Sequence, residues 1–152
     1  MKLTKQQEKE LMLAYTAYWD SYIKGDVKTM ITLLDDDYNQ IGSAESEVFF
    51  NKKDAVKFLY ETIDQVAGKA EMRNRIIKVE PLDEFILIND LFDIYVLIET
   101  ELSFYSKFRA STLMQKKEEG WKTECGIVFS NRRVENPEKF AECIEAAWKS
   151  PK

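Results

Sequence analysis

The chain has 152 residues, one domain's worth of length, and is 45% hydrophobic and 32% charged, which argues for a packed globule and against disorder. Its net charge of −5 excludes a global electrostatic footprint for nucleic acid or anionic lipid. Histidine is absent, which excludes imidazole-based nucleophilic catalysis and His-ligated zinc and leaves acid–base work to Asp, Glu, Tyr or Lys.

The first predicted helix spans Thr4 to Lys24. Leu11, Tyr15, Tyr18 and Tyr22 form an apolar stripe at helical spacing, widened by Ala14 and Trp19. Thr4 before Gln7 and Glu8 reads as an N-cap, and Gly25 as the terminator. Asp26 then caps a short second helix with Val27, Met30, Ile31 and Leu34 inward. Asp35, Asp36 and Asp37 come next. Carboxylates oppose the dipole at a helix C-terminus, so either the helix stops early and water screens them or one has a task. Tyr38 to Ile41 and Glu47 to Phe50 read as short extended pieces around a turn at Gly42. Asn51 or Asp54 caps a third helix to about Val66, with Val56, Leu59, Ile63 and Val66 on one face, ended by Gly68. Strands are predicted at Met72 to Val79, Phe85 to Thr100, Phe104 to Lys116 and Trp121 to Ser130. Asn89 and Asp90 mark an expected bulge, and Glu118, Glu119 and Gly120 a hairpin turn. Asn136 and Pro137 open a last amphipathic helix with Phe140, Cys143, Ile144, Ala147 and Trp148.

Helices first and then a meander of long strands is an α+β order with an antiparallel sheet. Ile94 to Ile98 is apolar at every position, so both sheet faces are expected to be covered, one by helices and the other by a second subunit. The two cysteines, Cys125 and Cys143, lack CxxC spacing and read as reduced thiols of a cytoplasmic protein. The N-terminus has no apolar signal-peptide core, and no stretch is long and apolar enough to span a membrane.

Three charged groups interrupt the strands, Arg73, Asp93 and Arg109. They read either as the floor of a polar-ligand pocket or as structural ion pairs. Tyr15, Tyr18, Trp19 and Tyr22 on the first helix form an aromatic stripe whose hydroxyls need partners if buried, which fits a cavity wall with polar points. Tyr105, Lys107, Arg109 and Ser111 fall at period 2 and are assigned to one strand face; Glu71, Arg73 and Arg75 are assigned to one face of the preceding strand. No nucleotide-binding glycine motif is present.

The element order, the Tyr/Trp-rich first helix, "LLDDDY" from Leu33 to Tyr38 and the hairpin "EEGWKTECGIVFS" resemble the nuclear transport factor 2-like superfamily, across roughly residues 8 to 131. That superfamily includes SnoaL-like cyclases, ketosteroid isomerases and scytalone dehydratase. The resemblance implies a cystatin-like cone, a curved antiparallel sheet wrapped around three N-terminal helices. A domain over 1–135 would be followed by a C-terminal helix over 136–152, a linker to an effector domain. The runs "ESEVFFNKKDAVKF", "DQVAGKAEMRNR", "DIYVLIE" and "FYSKFRASTLMQKKEEGWK" resemble modules of bacterial signalling proteins that precede a kinase or cyclase. On that likeness Glu47, Arg73, Asn74, Asp93, Tyr105, Lys107, Arg109 and Ser111 occupy recurrent polar positions. Such modules carry a His near the end of the last strand; here the stretch is "CGIVFSNRR", which argues against enzymatic use.

The leading expectation is therefore a non-enzymatic, cytoplasmic, homodimeric small-molecule-binding or sensory module, paired through the sheet and independent of metal, cofactor, nucleic acid and membrane. Its ligand would lie against Tyr15, Tyr18, Trp19, Tyr22, Arg73, Asp93 and Arg109, with Arg73 or Arg109 orienting an anionic or carbonyl group. The alternative is an isomerase, cyclase or dehydratase with Asp36, Asp37 or Asp93 as base and Tyr18 or Tyr38 as donor. A third reading is an assembly domain whose interior is filled by its own side chains.

Overall fold

A computed structural model describes residues 2–131. The expected C-terminal helix, with Cys143, lies outside the described residues. Helix α1 spans Lys5–Lys24 and starts at a reciprocal cap: the Thr4 hydroxyl accepts from the Gln7 amide while the Gln7 side chain accepts from the Thr4 amide. It ends at Gly25, whose φ of +81° needs no Cβ. A Cβ there would also meet the Ala67 Cβ at 2.5 Å. Gly25→Ala is therefore expected to lose about 2 kcal/mol, from the left-handed backbone and the clash together, read as a lower urea midpoint at unchanged slope. An unchanged midpoint would show that this turn is not closely packed.

Asp26 caps α2 (Val27–Leu33) through its carboxylate to the Thr29 amide. The helix stops before the Asp run, which lies instead in strand β1 (Leu34–Ile41). β2 (Val48–Phe49) pairs back on β1, and Asn51 caps α3 (Lys52–Thr62) by accepting from the Asp54 amide. A 3₁₀ turn over Ile63–Gln65 replaces the last expected turn of that helix. The remaining strands are β3 (Ala70–Leu82), β4 (Phe85–Ile98), β5 (Glu101–Lys117) and β6 (Gly120–Asn131).

The six strands form one curved, unclosed sheet in the order β2-β1-β6-β5-β4-β3. All neighbours run antiparallel except β1 beside β6, which is parallel. β3 is an edge strand, which is why Pro81 sits within it rather than ending it. α1 packs its Leu11, Tyr15 and Trp19 on Ile86, Ile88, Phe92 and Ile94 of β4 and on Ala110 and Met114 of β5. These strand residues define the inner face. Leu34 and Tyr38 of β1 bury with Ala55 of α3.

The register departs from expectation at two places that matter for the site. Asn89 and Asp90 form no bulge and pair in step with Ser111 and Ala110. The irregularities lie instead on β3, between Arg73 and Ile76, and beside Tyr105 of β5, where Ile94 faces Ser106 but Tyr95 faces Phe104. At the first, Asn74 takes a φ of +54°, which Asn tolerates better than most residues. The extra residue reverses the side-chain phase of β3. Leu97, Ile98 and Phe104, toward the far ends of β4 and β5, are exposed in the single chain.

Candidate functional site

Period 2 along β4 places Asp90 among Ile86, Ile88, Phe92 and Ile94, facing α1. Its side chain is fully buried, and two partners converge on its Oδ2 atom. The Tyr15 hydroxyl donates to it at 2.9 Å from α1. Arg75 donates through Nε at 2.8 Å, with a second guanidinium nitrogen also at 2.8 Å. Arg75 reaches this position because the Asn74 irregularity turns it inward. Its guanidinium lies 5.4 Å from the Tyr15 ring centroid and 5.9 Å from that of Phe92. Trp19 completes the wall, edge-on to Tyr18 at 5.5 Å, Tyr22 at 5.9 Å and Phe92 at 5.1 Å. Three buried polar atoms here have no hydrogen-bond partner among the described residues: Asp90 Oδ1, Trp19 Nε1 and Arg75 Nη2, the last close to Asp90 as an ion pair only.

Arg75 also lines a groove of about 270 Å³ between the end of α1 (Asp20, Ile23, Lys24) and the edge strand (Ala70, Glu71, Met72). One of its lining groups is thus a guanidinium already engaged with Asp90.

Burial raises the Asp90 carboxyl above the usual carboxylate range, against the opposing pull of Arg75 and Tyr15. Burial also pushes Tyr18 up to about 12 and raises Tyr22. Tyr15 and Tyr38 rise further for the same reason, reinforced by the Asp90 charge beside Tyr15 and by Tyr18 beside Tyr38. Each of these phenols holds its proton more tightly folded than unfolded. Their stabilising contribution is complete below the ordinary phenol pKa of about 10 and is lost as pH rises through the folded values. In an alkaline titration followed by phenolate absorbance, four of the seven tyrosines should ionise late, together with unfolding. Ionisation of all seven in one step near the ordinary value, with the fold intact, would contradict these burials.

The sequence-selected residues divide between two faces. Tyr15, Tyr18, Trp19 and Tyr22 gather on the inner side as one cluster. Arg73, Asp93 and Arg109 do not join them. Asp93 alternates with Phe92 and Ile94 onto the outer face, where it accepts from Asn74 at 2.9 Å and pairs with Lys107 at 2.8 Å. Those partners hold its carboxyl below the usual range. Arg73 bonds Glu71 at 2.7 Å and lies over the Tyr95 ring. Arg109 sits across from Leu91, exposed, on the same outer face. Arg75 does not share the face of Glu71 and Arg73, because the phase reverses at Asn74. Tyr105 stacks toward the inner-face Phe108, 6.5 Å between centroids, so it too parts from Lys107, Arg109 and Ser111.

Of the carboxylates considered as bases, Asp36 and Asp37 are exposed on β1 and Asp93 is outward. Tyr38 is inside, donating to Gln40 at 3.0 Å. The inner carboxylate is Asp90, which the sequence pattern marked only as a kink. Its signal was present: it stands at period 2 among four apolar residues. No cluster of potential metal ligands occurs among the described residues. No helix among them is long and apolar enough to cross a membrane.

The SnoaL-like domain profile matches residues 12–125. No curated protein matches the sequence. Among solved structures, a protein of unknown function with a cystatin-like fold from Nostoc punctiforme PCC 73102 superposes with a TM-score of 0.73 at 14% identity, over 86% of this chain and 96% of that one. An NTF2-like protein of unknown function from Pseudomonas putida KT2440 gives 0.72 at 12% identity, over 88% and 93%. A ketosteroid isomerase-like protein from Erwinia carotovora atroseptica gives 0.62 at 15% identity, over 86% and 100%. These likenesses establish a cystatin-like, NTF2-like fold.

Proposed function

The chain belongs to the SnoaL-like domain family, and on that premise we propose that it binds a small molecule without turning it over, in the interior between α1 and the sheet. Asp90 carries the reading. A carboxylate buried in an apolar interior, with one oxygen lacking a partner among the described residues, is costly for folding alone. Such a cost is characteristic of a site kept for a ligand. The aromatic side chains supply apolar contact, and Arg75 is shared between this group and the neighbouring groove. A sensory role, with occupancy passed to an effector, belongs to the same proposal and rests on the resemblance to signalling modules.

The same proposal has a second copy covering the outer sheet face. Leu91, Leu97 and Phe104 are exposed along that face, with the bonded pair Asn89–Ser111 next to Leu91, which leaves apolar side chains for a second copy to cover. Native mass spectrometry of the purified protein tests both parts. The expected result is a dimer mass with a small adduct that Asp90→Asn diminishes. A bare monomer, with no stabilisation by any member of a panel of small alcohols, carbonyl compounds and acids, would overturn the reading.

One observation favours a second reading, an isomerase or dehydratase with Asp90 as base and Tyr15 as hydrogen-bond donor. The Asp90 carboxyl is raised by burial and bonded to a phenol. Against it, the oxygen that Tyr15 reaches is the one Arg75 neutralises, and Tyr15 is occupied by Asp90 rather than free for a carbonyl. Deuterium exchange next to the carbonyl of a bound ketone, abolished by Asp90→Asn, would establish the enzyme instead.

A further inference from the structure

Independently of the interior site, we infer that residues 70–73 of β3 accept an extended peptide segment of a partner protein as an added antiparallel strand. One apolar side chain of that segment enters the groove beside Ile23 and Met72, with a basic residue two places before it and an acidic residue two places after it.

β3 pairs with β4 on one side and is the edge of the sheet on the other. The hydrogen-bond pattern says which of its backbone groups are open. The Leu97 amide donates to the Lys69 carbonyl at 2.8 Å, one step outside the pairing of Ala70 with Val96. Ala70 and Val96 are therefore a non-hydrogen-bonded pair, and by alternation so are Met72 and Ile94. The N–H and C=O of Ala70 and Met72 thus point away from β4, toward the open edge. Edge strands are commonly kept from pairing by bulges, prolines and lysines. In β3 such devices lie from Asn74 onward: the irregularity at Asn74 and Arg75, the exposed Lys78, and Pro81. Residues 70–73 carry none of them, and Glu71 and Arg73 neutralise each other.

The groove of about 270 Å³ adjoins this open stretch. An added strand lies about 4.8 Å outside β3. Its residues opposite Ala70 and Met72 exchange main-chain bonds with them and turn their side chains to the same face, the groove side. There Ile23, Ala70 and Met72 offer half-buried apolar surface. The groove charges set the order of the segment. Arg75 is matched by Asp90, and Glu71 by Arg73. Asp20 and Lys24 make no hydrogen bond or salt bridge through their side chains among the described residues, and Lys24 acts on Asp26 through space alone. α1 and β3 run in opposite directions, since Gly68 donates to the Ile23 carbonyl at 2.9 Å while Arg75 lies 5.4 Å from the Tyr15 ring centroid. Lys24 therefore stands at the Ala70 end and Asp20 toward Arg75. A segment antiparallel to β3 meets Asp20 first and Lys24 last, which calls for a base, then the apolar residue, then an acid. The helix end does little to repel that acid, because the carbonyls of Ser21, Tyr22 and Ile23 already accept from Gly25, Asp26 and Gly68.

The probe is the peptide acetyl-Thr-Lys-Thr-Val-Thr-Glu-Thr-amide, titrated into the isotope-labelled full chain and followed by backbone amide shifts. It should perturb residues 70–73 together with Ile23 and Lys24. Three altered peptides separate the contributions. N-methylation of the valine nitrogen removes a main-chain donor aimed at β3 and should weaken binding about tenfold or more. Serine in place of valine should weaken it severalfold. Exchanging the lysine and the glutamate should weaken it severalfold at low salt and little at high salt. On the protein side, Asp20→Lys combined with Lys24→Glu reverses two exposed charges and should turn the preference toward the exchanged peptide, with retained amide dispersion showing that the variant folds. No perturbation of residues 70–73 at millimolar peptide overturns the site. Equal binding of the N-methylated peptide overturns strand addition, and a wild-type preference for the exchanged peptide overturns the assigned direction. Shifts at residues 70–73 that grow with protein concentration in the absence of peptide give the edge to a second copy of this chain and overturn the partner. Each of these failures leaves the binding role proposed for Asp90 as it stands.

Discussion

Asp90→Ala should cost about 3 kcal/mol, the lower end of the range for removing one partner of a buried ion pair. The substitution leaves Tyr15 without its acceptor and Arg75 without its counter-charge, and it opens a void beside Phe92. Arg75 keeps 21% of its side chain in contact with solvent, so water recovers part of the loss, which places the figure at the lower end. In a domain of this length the melting temperature should fall by roughly 10 °C. Asp90→Asn should cost less, because the amide still accepts from Tyr15 and Arg75. The pH dependence separates the two effects. Since burial raises the Asp90 carboxyl, the folded state holds that proton more tightly than the unfolded chain. Wild-type stability from this group is therefore greatest in acid and declines as pH rises from the ordinary carboxylate pKa through the raised one. The deficit of Asp90→Asn relative to wild type should be largest in acid and shrink across that interval. A deficit that grows with rising pH would mean that the ion pair, not burial, dominates at Asp90.

The legible part of this fold was its punctuation. Thr4 with Gln7, Gly25 and Asp26 mark where helices start or stop through hydrogen bonds made within a few residues, so sequence alone places them, and it narrows the start of α3 to Asn51 or Asp54, of which Asn51 is the cap. The hairpin across Glu118 and Glu119 and the inward stripe of α1 are local in the same sense. Strand phase is not local. Asn74 adopts a left-handed backbone because the neighbouring strand lets one residue stand out of register, and nothing within a few residues of it demands that. One such residue sent Arg75 inward while Arg73 stayed out, and a second beside Tyr105 separated that ring from Lys107 and Arg109. The aromatic stripe of α1 was therefore readable as one inner face, while of the charged residues singled out with it Arg73, Asp93 and Arg109 lie on the outer face, and Arg75 and Asp90 lie inside. Asp90 was the recoverable miss: its place among Ile86, Ile88, Phe92 and Ile94 is a period-2 signal that a polar residue looks inward. Asp93, one step out of that series, looks outward and found Lys107 and Asn74.

Phe92→Ala is the second substitution expected to have a large effect, about 3–5 kcal/mol. Phe92 is 1% exposed. It packs at 5.1 Å from Trp19 on the helix side and stacks at 5.7 Å on Phe108 in the next strand, so one ring joins α1 to the middle of the sheet. It also underlies the Arg75 guanidinium, which ties the apolar contact to the ion pair. Its loss should therefore act on two quantities at once. Stability should fall as for a large core truncation, and ordering of the Tyr15–Asp90–Arg75 group should fall with it, seen as earlier ionisation of Tyr15 in the alkaline titration. Phe50→Ala is the control: an aromatic truncation at an 82% exposed position, expected to stay within about 0.5 kcal/mol of wild type. Equal effects of the two truncations would contradict the placement of Phe92 between helix and sheet. A large stability loss with the Tyr15 ionisation unmoved would show that the ion pair holds its own geometry, independent of the ring beneath it.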